Sequence, residues 1–208
     1  MALPAASLLL IARLSAQGSR GDFTVVPGER FGVIRETTSR ADLGRFYAPS
    51  DVTDADVPIG EGICTSGTLV LAGSPDAIDI AWQNPERTRV AFVRTRGAGG
   101  RWRTPKGVRV GTPLAELERI AGAVITFSGF GWDYGGGTSW HEGAGTLGLT
   151  LAIDPTDPIG RSIDPDAQTI FGDREVRSDH PMIRSIRIRV AEMTQSWGEH
   201  SGERDCGR

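Results

Sequence analysis

Lysine is almost absent from this chain: Lys106 stands alone among 23 basic residues, so positive charge here means arginine. A basic excess is also missing, because those 23 residues face 26 aspartates and glutamates for a formal net charge of -3. Proteins that rely on bulk attraction to nucleic acid are normally basic, which argues against that class. No apolar run approaches the roughly 18 residues that a membrane-spanning helix needs. Cysteine is limited to Cys64 and Cys206, too few for a disulfide framework and not spaced as metal ligands. The three histidines, His141, His180 and His200, are scattered. Nucleophile-elbow, zinc-protease, phosphate-loop and dinucleotide signatures do not occur. Disorder is excluded by the remainder: of 208 residues 38% are hydrophobic and 24% charged, and a chain of that size and make-up buries a core without metal or cross-links. No cofactor is expected.

The N-terminus, MALPAASLLLIARLSAQ, carries an apolar centre at Leu8–Ile11 and ends in Leu14-Ser15-Ala16, small residues at the spacing a signal peptidase accepts. This predicts a signal peptide over 1–16 and a periplasmic or secreted protein. No cysteine lies near the cleavage point, which argues against a lipid anchor. In an oxidising compartment Cys64 and Cys206 are able to pair and clip the polar tail 198–208 to the body; two independent thiols are the alternative.

Two segments match without gaps at an offset of 74 residues: Thr38-Ser39-Arg40-Ala41-Asp42-Leu43-Gly44-Arg45-Phe46 and Thr112-Pro113-Leu114-Ala115-Glu116-Leu117-Glu118-Arg119-Ile120. Both read as helix starts. Thr112 suits an N-cap with Pro113 in the first turn, and Gly122 suits the stop. Ser39 and Asp42 resemble a capping box. Alternating stretches follow each one: Thr68–Leu71, Ala77–Trp82 and Thr88–Arg94 in the first half, then Ala123–Ser128, Thr146–Ile153 and Ile183–Val190.

This order predicts an α+β protein of two tandem helix-plus-antiparallel-sheet repeats, with helices packed on one face of the sheet. The repeats span 24–100 and 101–197, the second lengthened by an insertion at 154–182. The layout resembles the tandem repeats of β-lactamase-inhibitor-protein-like folds and the single unit of SmpA/OmlA-type outer-membrane assembly lipoproteins, whose helix opens with a phrase similar to Gly111-Thr112…Glu116-Leu117. The resemblance implies a protein that binds other proteins and does no chemistry. Separately, Gly129-Phe130-Gly131-Trp132-Asp133-Tyr134-Gly135-Gly136 resembles a stretch in exported bacterial proteins of unknown function.

The densest chemistry lies in GFGWDYGGGTSWHEGAG, residues 129–145. Glycines there permit positive φ and close backbone approach, and Trp and Tyr favour half-wet binding surfaces. Trp132, Asp133, Tyr134, Trp140, His141 and Glu142 are therefore the candidate ligand-binding residues. The competing account is a glycine-bent hairpin whose rings plug the end of a sheet. As a catalytic set, Asp133 and Glu142, with or without His141, would make a small envelope hydrolase or glycan-acting enzyme. His141 and Glu142 are adjacent, however, and on a strand would face opposite ways.

Arg94, Arg96, Arg101, Arg103, Lys106 and Arg109 form an acid-free run, with Trp102 placed to add stacking; it is either a site for an anionic partner or a solvated linker. Asp51, Asp54 and Asp56, and later Asp154, Asp157, Asp164 and Asp166, read as solvated loops without calcium-loop spacing. The expected function is an exported, non-catalytic binding protein whose partner is a protein or a cell-envelope component.

Overall fold

A computed structural model describes residues 21–157 and 167–207. The expected signal segment 1–16 lies outside the described residues, as does the middle of the 154–182 insertion, including Asp164 and Asp166.

Twelve strands and three short helices alternate along the described chain: β1 (Val25–Val26), β2 (Arg30–Phe31), α1 (Arg40–Leu43), β3 (Val52–Gly60), β4 (Ile63–Val70), β5 (Ile78–Trp82), β6 (Val90–Thr95), α2 (Leu114–Ala121), β7 (Thr126–Ser128), β8 (Gly137–Glu142), β9 (Gly145–Ile153), β10 (Glu175–Arg177), α3 (Pro181–Arg184), β11 (Ile188–Ser196) and β12 (Glu203–Asp205). Eight strands join in one antiparallel sheet: β3 pairs β4, and β4 leads through β5, β6, β11 and β9 to β8. The short β12 extends the line of β5 along β4, opposite β3.

This overturns the two-repeat α+β expectation. The protein is mostly β, with 40% of the described residues in strands and 12% in helices, and the halves share one continuous sheet across the β6–β11 pairing. The matching segments do form similar local turns. Thr38 Oγ1 accepts from Arg35 N and Thr112 Oγ1 from Arg109 N, and Leu43 and Leu117 are both fully buried. What differs is helix length. After Ser39, whose capping box with Asp42 is present, α1 stops at four residues, too short for a stable packing layer. The eight-residue α2 ends in Gly122 at φ 67. A local phrase sets a turn; it does not specify the architecture around it.

Two further strands escape sequence patterning. The acids Asp54 and Asp56 belong to β3, an edge strand, not to a loop. Asp54 pairs with Arg40 and Arg87, and Asp56 with Arg204. Charges and a proline (Pro58) on an edge discourage pairing with another chain. The last strand is displaced from 183–190 to 188–196, because His180 and Pro181 open α3 first. A bulge between Val190 and Glu192 then resets the alternation, so Ile188, Val190, Met193 and Gln195 all point inward.

The main core lies on one side of the sheet. Ile80, Trp82, Val93, Leu149, Leu151 and Val190 pack there beneath Leu117, Phe31, Val108 and Trp102. Trp102, placed in an arginine run by sequence, is 2% exposed, and its indole donates to Asp76 O. A smaller apolar cluster of Val57, Ala81, Ala91 and Phe92 occupies the other side, the outer face. Gly67 makes it possible: a Cβ there would sit 2.4 Å from Val57 Cγ2, so only glycine lets β3 fold its valine over the sheet.

Candidate functional site

The described residues cover the outer face of the sheet at its β4–β5–β6 end and leave it bare at its β11–β9–β8 end. At the covered end the β3–β4 hairpin lays Val57 and Ile59 over it, and the chain near His200 packs edge-on to Phe92. Cys64 and Cys206 form a disulfide with Cα atoms 4.9 Å apart, so the predicted polar tail is tied down as β12.

Alternation places Asp79, Arg94, Glu192 and Thr194 on this outer face, since their neighbours Ile80, Val93 and Met193 are in the main core. Arg94 is only 8% exposed. Its guanidinium donates to Asp79 at 3.0 Å and to Pro58 O at 2.6 Å, and lies 3.7 Å from Glu192. Arg96 bridges the same two carboxylates, at 2.9 Å from Asp79 and 2.7 Å from Glu192. Two cations and two anions thus neutralise one another, and three of the four, Arg94, Arg96 and Glu192, line a cleft of about 590 Å³.

The walls of that cleft come from segments far apart in sequence. One is the β3–β4 hairpin tip, where Glu61 (φ 52) and Gly62 (φ 76) make the reversal. The other is the loop carrying Asp133 and Tyr134. They meet: Asp133 Oδ2 accepts the Glu61 N–H, and the Tyr134 hydroxyl stands over Gly60, 3.7 Å from where a Cβ would lie. Trp132 and Tyr134 stack edge-to-face at 5.3 Å, and the Trp132 indole donates to Gly129 O at 2.8 Å. Both rings remain in part exposed, 38% and 53%, which singles them out among the aromatic side chains of the described residues.

The six candidate residues therefore divide. Asp133 and Tyr134 line the cleft, and Trp132 packs against Tyr134. Trp140, on β8, turns inward and is 3% exposed. Its indole donates to Glu142, which also accepts from Lys106 N, so Glu142 caps the inner side of the sheet. His141 faces outward and is exposed, its Nδ1 3.1 Å from Thr146 Oγ1. Asp133 and Glu142 are not brought together, and no two-carboxylate hydrolytic pair is built from them. Part of the glycine richness is steric: a Cβ on Gly136 would meet Leu151 O at 1.9 Å.

Sequence reasoning missed the cleft floor. Arg94 and Glu192 lie in different halves of the chain, and the structure disperses the arginine run to which Arg94 belongs. Arg101, for example, pairs with Asp76 and covers the Phe23 ring at 3.7 Å. The signal in the sequence is alternation: a single charged residue in an otherwise uncharged strand, Asp79 in β5 and Arg94 in β6, marks the outward-facing position.

No cluster of three or more metal-ligating side chains occurs among the described residues, and none of their helices is long and apolar enough to cross a membrane. No family model, curated protein or solved structure matches the chain.

Proposed function

We propose that this is a non-catalytic recognition protein that works outside the cytoplasm, in the periplasm or secreted, and holds its partner against the outer face of the sheet. The observation that carries this reading is the cleft. A nearly buried arginine, Arg94, is fixed by two carboxylates and a carbonyl, beside two aromatic rings left in part to solvent. Fixed polar groups next to a rigid aromatic anchor are what recognition sites need, because little side-chain entropy remains to be lost on binding. The Cys64–Cys206 bridge supports the location, since such bonds persist in oxidising compartments.

Site-specific photo-cross-linking in the producing cell tests the reading. A photoreactive residue replacing Tyr134 or Ser139 is expected to give adducts, whereas the same group at Arg119, exposed on α2, is expected to give none. Equal labelling at the three positions, or none at Tyr134 and Ser139, would count against a partner on this face.

A further inference from the structure

Beyond the cleft, the bare part of the outer face has a composition unlike the rest of the surface. Strand registers set its rows: Arg94, Thr194, Gly148 and Ser139 lie side by side across β6, β11, β9 and β8, and Glu192, Thr150 and Gly137 form the next row. Thr146 and His141 complete the far end. Ser139, Thr146, Gly148 and Ser196 are exposed, and Thr150, Glu192 and Thr194 half-buried. From Gly137 to His141 the shelf runs about 13 Å along the strand.

We infer that this hydroxyl- and glycine-lined shelf, continuous with the cleft and ended by Tyr134 and Trp132, binds an uncharged glycan chain. The inference rests on the recognition reading above and names the ligand class for the same face.

Three properties converge on it. The shelf offers no apolar side chain of size, so a lipid surface or the apolar face of a helix would gain little by burial there. Its charges are spent on one another: Arg94 and Arg96 are both held by Asp79 and Glu192. The cleft lining adds Asp133 and Glu61, so an anionic polymer meets more carboxylate than free cation. What the shelf does present is short hydroxyls and exposed backbone at one level, matched to a ligand with many hydroxyl donors and acceptors and no net charge. At its end the two rings supply flat apolar area for the C–H face of a sugar. Those rings are pre-set by the Trp132–Gly129 hydrogen bond and by the placement of the Tyr134 hydroxyl over Gly60. A protein partner would need a cluster of buried anchors at the centre of the patch, where this face carries glycine and threonine.

The test is co-sedimentation of the disulfide-bonded protein with insoluble neutral polysaccharides (cellulose, chitin and a β-1,3-glucan), with calorimetric titration of the matching soluble oligosaccharides. The acidic polymer alginate serves as a contrast. The expected result is retention on at least one neutral polymer and none on alginate. Tyr134→Ala is expected to weaken binding tenfold or more with an unchanged melting temperature. Thr194→Arg should weaken it similarly by blocking the shelf, and Arg119→Ala should leave it intact. Binding that survives both Tyr134→Ala and Thr194→Arg would overturn the assignment to this face. Absence of binding to every neutral polymer, with cross-linked protein adducts still forming at Ser139, would overturn the glycan and leave the recognition reading standing. No polymer binding and no adducts would remove both.

Discussion

The carboxylate of Asp133 accepts the backbone N–H of Glu61, 72 residues earlier in the chain, and so ties the tip of the β3–β4 hairpin to the aromatic loop. Neither segment is held at that end by strand pairing to the other. The cleft wall is therefore closed by one charged hydrogen bond and by the Tyr134 hydroxyl over Gly60.

Replacing Asp133 by alanine should loosen the wall without unfolding the protein. The loss is expected to be about 1 kcal/mol, typical of one partly solvated hydrogen bond. Amides of residues 60–62 should exchange faster with solvent, while those of β6 and β11 should not change. Unaltered exchange at 60–62 would show that the tip is held by other contacts.

The two tryptophans of the glycine-rich stretch should behave oppositely. Trp140→Ala empties a core position and is expected to cost about 3–5 kcal/mol. Trp132→Ala removes a ring that is 38% exposed and should stay within about 1 kcal/mol of the wild type. Urea unfolding of both variants provides the comparison, and similar midpoints would contradict the placement of these rings.

Denatured, unreduced protein should show no reactive thiol, since Cys64 and Cys206 are joined. The bridge spans 142 residues, so the chain-entropy model gives a ceiling of roughly 5 kcal/mol for its contribution. Cys206→Ser is expected to lower the melting temperature and to raise exchange in β12, which holds only three paired positions on β4.

Stability should fall in acid. A hydrogen bond from Arg204 holds the Asp56 carboxyl below its usual range. Burial alone would push Asp54 up, but hydrogen bonds from Arg40 and Thr68 and the charges of Arg40 and Arg87 outweigh it and hold this carboxyl low as well. Ser39 does the same for Asp42 at the start of α1. Groups with depressed folded values stabilise fully above the ordinary carboxylate range near pH 4, and that contribution is lost as pH falls through their folded values. The melting temperature should be level from pH 7 to about pH 5 and decline below. Asp56→Asn should flatten part of the decline. On the alkaline side, burial and the nearby charge of Asp22 push the Tyr47 phenol up to about 12. Its contribution is complete below the ordinary tyrosine value near 10 and is lost as pH rises towards 12. A melting temperature that does not change across either window would refute these assignments.

Much of the sheet was legible because alternation is a local property. The strands at 77–82, 88–94 and 146–153 lie within two or three residues of β5, β6 and β9. The stop of α2 at Gly122 was equally legible, since glycine termination is local; the expected Thr112 cap was not borne out, because Pro113 is the N-cap and the Thr112 hydroxyl accepts from Arg109 N in the preceding turn. The edge strand β3 was hidden because its carboxylates are neutralised by arginines 14, 33 and 148 residues away, distances over which sequence patterning carries no information. Strand β8 was hidden inside a glycine-rich stretch, where intrinsic propensity speaks against a strand and only pairing with β9 stabilises one.

By itself the sequence determined the wet and dry faces of the central strands, the turn before α2 and the clustering of aromatic side chains at 130–140. Periodicity and capping depend on neighbours a few residues apart, and those neighbours are written side by side. Tertiary structure alone decided that the halves share one sheet, that Trp140 is core while Trp132 is surface, and that Arg94 and Arg96 meet Glu192 nearly a hundred residues on. The first and the last follow from the pairing of β6 with β11, and the inward turn of Trp140 from that of β8 with β9. Strand pairing between distant segments is selected by the burial of the whole inner face at once, and no short stretch of chain encodes that sum.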